Sequence, residues 1–209
     1  MPHFPARRSS SPLPRVAVGA IAATFLIAAC TGRGGGWLPP DGIIFKGAAT
    51  MGFAFSCERS SRSTNTNPPT GRLRIELSYR DHGISPIGAA FSIHGIPDVL
   101  DPVVESAACV GQEPPPGGNE LIFLGRYSLT SGAPAGFARA CAGKATVSST
   151  ACRFEVIVRD NDGDMAPSAG DFFSIKLSTV TDATITDLPI ASVFYTRAGF
   201  LGGGNLTVN

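Results

Sequence analysis

Four aspartates close together are the residues whose type and spacing first suggest chemistry. Asp160, Asp162 and Asp164 alternate with Asn161 and Gly163, and Asp171 follows downstream. Carboxylates at alternate positions of a loop can converge on a hard cation, and Ca2+ takes about six to eight oxygen ligands, so Asp171 or backbone carbonyls would have to complete the shell. The run departs from an EF-hand loop, because its sixth position is Met165 and its twelfth is Asp171. Asn and Asp also adopt turn conformations readily, so the same residues read as an Asx-rich turn after a strand. Asp81, His82 and His94 have the types needed for a base or a metal pair. No nucleophile is placed beside them and no G-x-S-x-G elbow occurs, which makes a hydrolase the least supported class. Trp37 with Tyr79, Tyr127 and Tyr195 offers aromatic faces on which a sugar could stack, although Tyr79 shares the inward phase of its segment. Gly202, Gly203 and Gly204 are followed by no Lys-Ser or Lys-Thr pair and read as a bend into a last strand rather than a phosphate loop.

The five cysteines are Cys30, Cys57, Cys109, Cys141 and Cys152. The last four form an even set, most simply two disulfides if the chain is exported to an oxidising compartment. Four cysteines allow three pairings. The short separation of Cys141 and Cys152 favours their union, a closure worth roughly 3 kcal/mol in the chain-entropy account, which leaves Cys57 with Cys109. Four thiolates around zinc are disfavoured, since no C-x-x-C knuckle occurs.

Cys30 follows a segment of different character. Residues 1–15 carry Arg7, Arg8 and Arg15 and no acid, and the uncharged run from Val16 to Ala29 is 14 residues long. That run is too short for a permanent membrane helix, which needs about 20 residues. A basic region followed by a short apolar one and small residues has the form of a secretory signal. Leu26, Ile27, Ala28, Ala29 and Cys30 together resemble the lipobox of bacterial lipoproteins. The resemblance implies cleavage between Ala29 and Cys30, a thioether between Cys30 and diacylglycerol, and acylation of the new amino terminus. Thr31 stands where such lipoproteins carry Asp when they are kept at the inner membrane, so in an organism with two membranes the outer one is expected. Residues 30–40, with the glycine-rich stretch Thr31 to Gly36, read as a flexible tether that stands a domain off the bilayer.

The chain of 209 residues has a formal net charge of +1, with 16% charged residues, 25 Gly and 17 Pro. Without residues 1–29 the 17 basic residues fall to 14 against 16 acids, a net of −2. Nucleic acid is therefore not an expected partner. So much Gly and Pro with so little charge also argues against a coiled coil or helical bundle.

From Asp41 onward the dominant period is two. Leu73, Ile75, Leu77 and Tyr79 alternate with Arg72, Arg74, Glu76, Ser78 and Arg80, the pattern of a half-buried strand. Cys152, Phe154, Val156 and Val158 alternate with Arg153, Glu155 and Arg159; Met51, Phe53, Phe55 and Cys57 alternate with Gly52, Ala54 and Ser56. Weaker strands are expected at residues 89–96, 121–129, 137–141, 172–177, 191–196 and 205–208, separated by Gly, Pro, Asn and Asp clusters. No later segment shows a convincing helical period. About nine strands and essentially no helix define an all-β domain over 41–209, an antiparallel β-sandwich or partly open barrel.

Taken in order, GAATMGFAFSC (47–57), GRLRIELSYRDHG (71–83), FSIHG (91–95), FEVIVRDNDG (154–163), DFFSIKL (171–177) and GFLGGGNLTV (199–208) resemble the post-COAP-1-type β-rich module of exported bacterial surface proteins. The insert at 97–119 and the expanded 179–188 connection depart from it. The resemblance implies a non-catalytic extracytoplasmic module and carries over no catalytic residue. The sequence thus predicts a lipid-anchored envelope protein whose partners are the membrane and an envelope protein or glycan, with a glycan- or calcium-binding module as the alternative.

Overall fold

The structure, a computed structural model, describes residues 30–59, 71–83, 88–97, 119–132, 137, 141, 151–161, 170–181 and 188–208. Nine strands are present among the described residues: β1 (Cys30–Leu38), β2 (Ala49–Arg59), β3 (Gly71–Asp81), β4 (Phe91–Pro97), β5 (Glu120–Ser131), β6 (Arg153–Arg159), β7 (Phe172–Ser178), β8 (Val193–Phe200) and β9 (Gly203–Val208). Among the described residues helical structure is confined to a 3-10 turn at Ile190–Ser192 and a 3-10 position at Cys141. All nine strands belong to one antiparallel sheet in the order β8-β7-β6-β5-β4-β3-β2-β1-β9. The sheet curls into a half-barrel, so the partly open barrel, not the two-sheet sandwich, is the architecture formed. Its edge strands β8 and β9 are separated in sequence only by Leu201 and Gly202, and they pair with β7 and β1. One bent segment therefore supplies both edges.

Alternation builds the wall. Leu73, Ile75, Leu77 and Tyr79 of β3 are buried while Arg74, Glu76, Ser78 and Arg80 face outward. In β2 Met51, Phe53, Phe55 and Cys57 do the same, and the register sets Phe53 against Leu77 and Phe55 against Ile75. Phe123 of β5 lies between them, its ring centroid 5.6 Å from those of Phe53 and Phe55. Packed aromatics of this kind add about 0.5–1.5 kcal/mol per pair beyond their area. Strand β6 departs from the half-buried pattern: Arg153 and Glu155 are buried, and Lys176 on β7 closes against Glu155 at 2.5 Å.

Two sequence expectations require correction. Residues 30–38 of the stretch expected as a tether instead form β1, an interior strand between β2 and β9, so the sheet includes residues that precede 41. The glycines are there for close approach. A Cβ on Gly36 would come within 2.4 Å of the Gly203 carbonyl oxygen, and Gly204, at φ +114°, would bring one within 2.3 Å of the Gly36 Cα. Glycine-rich sequence allows flexibility but also lets backbones meet, and the second property is used here. The strand expected over 137–141 is not one at its described ends, since Phe137 lies in a bend and Cys141 in a 3-10 turn. The expected number of strands is right although their membership differs by one.

Candidate functional site

Cys30, the residue expected to carry lipid, opens β1. The register places it directly opposite Cys57 of β2, and Thr31 opposite Ser56. Cys57 is fully buried and disulfide-bonded. Cys141 and Cys152 form a disulfide with their Cα atoms 5.0 Å apart, the pairing favoured by their separation of 11 residues. Cys109 lies outside the described residues. The same end of the sheet holds the close of β9, where Val208 is opposite Gly32.

Of the four aspartates expected to bind calcium, the two described ones, Asp160 and Asp171, are engaged with backbone. Asp171, at the start of β7, is fully buried: its Oδ2 accepts the Leu206 N–H at 2.8 Å and its Oδ1 the Asn161 N–H at 3.3 Å. The Asp171 carbonyl accepts the Leu201 N–H at 2.9 Å, and Asp160 Oδ2 accepts the Val208 N–H at 3.3 Å. The outer amides of edge strand β9 are thus met by carboxylates from the β6–β7 connection, which holds β9 toward β6 and β7 without a ladder. Asp162 and Asp164 lie outside the described residues, and among the described residues no three His, Cys, Asp or Glu side chains gather as a metal site. A carboxylate that already accepts backbone donors retains lone pairs, but its position is set by β9.

Inside the half-barrel lies a polar network that the sequence reading did not assemble. The Tyr195 hydroxyl donates to Asp81 Oδ2 at 2.8 Å and stands 2.5 Å from the Tyr79 hydroxyl. Each phenol has one proton, so Tyr79 donates to Tyr195 and Tyr195 to Asp81. Arg197 Nη1 pairs with Asp81 Oδ1 at 3.2 Å, both side chains being almost wholly buried. Arg197 Nη2 donates to the carbonyls of Gly47 at 2.7 Å and Pro39 at 3.0 Å, and the guanidinium lies 4.5 Å from the Phe45 ring centroid. The connection between β1 and β2 is thereby fastened to β8. Burial pushes both phenols well above the usual tyrosine range, and the neighbouring Tyr79 adds to the rise at Tyr195. Both therefore remain protonated and act as hydrogen-bond donors rather than bases. A signal did exist in the sequence: Asp81 continues the inward phase of Leu77 and Tyr79, and Arg197 that of Tyr195, so an acid and a base occupy core positions on two strands.

The histidines do not meet. His82 Nε2 shares a hydrogen bond of 3.0 Å with Thr50 Oγ1 at the surface. His94 is exposed on β4, between Ser78 and Ser128 of the neighbouring strands. Four residues of extended chain from Ser78 to His82 put the two about 13 Å apart. The aromatic platform is likewise not assembled, because Tyr79, Tyr127 and Tyr195 are core residues and the half-exposed Trp37 lies over Gly202 and Gly203 instead. Burial raises the Tyr127 phenol as well, and its hydroxyl donates to the Ser178 carbonyl at 3.0 Å.

The fold and these sites define a single-sheet, half-barrel β domain with a buried ion pair, disulfide closure and carboxylate-held edge. The chain matches no family model, and neither a curated protein nor a solved structure matches it.

Proposed function

We propose that the protein is an exported, lipid-anchored structural or interaction module of the cell envelope that performs no catalysis. The observation that carries this reading is the buried Cys141–Cys152 disulfide, a bond characteristic of oxidising compartments outside the cytosol. It accords with the basic and apolar residues 1–29 and the lipobox-like sequence ending at Cys30. Acyl chains contribute about 0.8 kcal/mol per buried methylene, so a diacylglycerol with a further acyl group gives stable attachment. Because Cys30 opens β1, the half-barrel would stand directly on the bilayer by its Cys30 and Val208 end. The β1–β2 connection, pinned by Arg197, would then face away toward a protein or glycan partner, and an outer membrane is the expected site where there are two. The absence of catalysis accords with phenols held protonated, an acid matched to an arginine, and separated histidines.

Palmitate labelling with intact mass measurement tests the anchor. The mature chain is expected to begin at Cys30 and carry label, and Cys30→Ser to take up none. An unlabelled wild-type chain overturns the anchor.

A further inference from the structure

The register of β1 gives Cys30 an alternative to acylation. We propose that in any chain whose Cys30 escapes acylation, Cys30 and Cys57 form a cross-strand disulfide that ties β1 to β2 and leaves Cys109 as the free thiol. The acylated branch rests on the anchor proposed above; the disulfide branch does not. Cys30 and Cys57 are directly opposed. Opposed residues of an antiparallel pair have Cα atoms about 4.5–5.5 Å apart, within the roughly 4.4–6.8 Å that a disulfide spans, so no backbone movement is needed. Cys57 is disulfide-bonded, and Cys141 and Cys152 are bonded to each other. Of the five cysteines, only Cys30 and Cys109 therefore remain as candidates for the partner of Cys57. Of these, Cys30 is the one that sheet formation itself brings opposite.

The two fates exclude each other. A thioether leaves the Cys30 sulfur no proton to give up, and Cys57 then pairs with Cys109. With Cys30 free, both S–H bonds break and one S–S bond forms. The two protons and two electrons pass to a protein disulfide of the export compartment's thiol oxidase class, which becomes a dithiol. Acylation thus decides between an anchored form and a released form whose first strand is covalently fastened.

Two preparations test this by non-reducing peptide mapping after alkylation in denaturant. One is the full chain with its own residues 1–29; the other is exported behind a leader cleaved before Cys30 without acylation. The second is expected to yield a linked Cys30–Cys57 peptide and alkylation of Cys109 alone, and its Cys109→Ser variant no alkylated cysteine. A Cys57–Cys109 link with Cys30 alkylated in the second preparation overturns the proposal, as does alkylation of both Cys30 and Cys57 in the variant. If the first preparation carries no lipid yet shows the Cys30–Cys57 link, the anchor falls and the disulfide stands.

Discussion

The half-barrel uses buried carboxylates in two different ways at two places. Within the barrel, Asp81 faces a full positive charge on Arg197 and the proton of a phenol, and the cluster fastens the β1–β2 connection to β8. Along the β9 edge, Asp171 and Asp160 accept main-chain amides of the strand they hold. The first arrangement sets charge against charge, so losing one member strands the other in a medium of low dielectric. The second sets charge against peptide dipoles, so losing the carboxylate leaves those backbone donors, which are neutral, unmet. The difference predicts a global effect at one place and a local one at the other.

The largest effect is expected from Arg197→Met. It leaves Asp81 buried without its cation, and breaking a buried pair costs about 3–5 kcal/mol. Urea unfolding should show that loss. The double variant Asp81→Leu with Arg197→Met should recover part of it, because no lone charge remains. A single-variant cost no greater than that at Asp171 would break the contrast between the two regions.

How far the sequence made these regions legible follows from what side chains reveal. Strand β3 was legible because its inward Leu73, Ile75, Leu77 and Tyr79 alternate with polar residues. Strand β1 was not: between Gly32 and Gly36 only Arg33 has a side chain, so there is no alternation to read, and the partner that requires the glycines comes from the far end of the chain. The Cys141–Cys152 pairing was legible from its short loop. The acidic run reads as a cation site because carboxylates at alternate positions suit one. Nothing local announces that β9 returns to offer its amides. Asp81 and Arg197 are readable in phase, but Asp81 closes its strand, where a charged residue reads first as a turn, and the strand expected at 191–196 stops short of Arg197.

Asp171→Asn should come next in size. The amide keeps one acceptor oxygen but turns an NH2 toward one backbone donor, and losing a charge-assisted bond costs about 1–3 kcal/mol. The readout that separates this from general weakening is amide exchange. Leu206 should exchange much faster in the variant, while Gly83, whose N–H is held by Asp81 Oδ1 at 3.1 Å, should change only through the global loss. Equal acceleration at both amides would mean that the edge and the interior open as one unit.

The smallest effect is expected at a third aspartate, which extends the comparison to the surface. Asp41 Oδ1 accepts the amides of Phe45 at 2.8 Å and of Ile43 and Ile44 at 2.9 Å, and these bonds, that from Phe45 foremost, hold its carboxyl below the ordinary range. A carboxyl lowered by folding adds stability above its unfolded pKa of about 3.9, and that contribution fades as pH falls through the lower folded value. Water meets the amides once the carboxylate is lost, so Asp41→Ala should leave the urea midpoint nearly unchanged. The Phe45 amide should nevertheless exchange faster in Asp41→Ala than in wild type at pH 6, and the two rates should converge as the pH is lowered below the folded value. If Asp41→Ala instead lowered the urea midpoint as much as Asp171→Asn, the turn would be supporting Phe45 against Arg197 and Tyr195 beneath it, and the surface carboxylate would belong with the interior network.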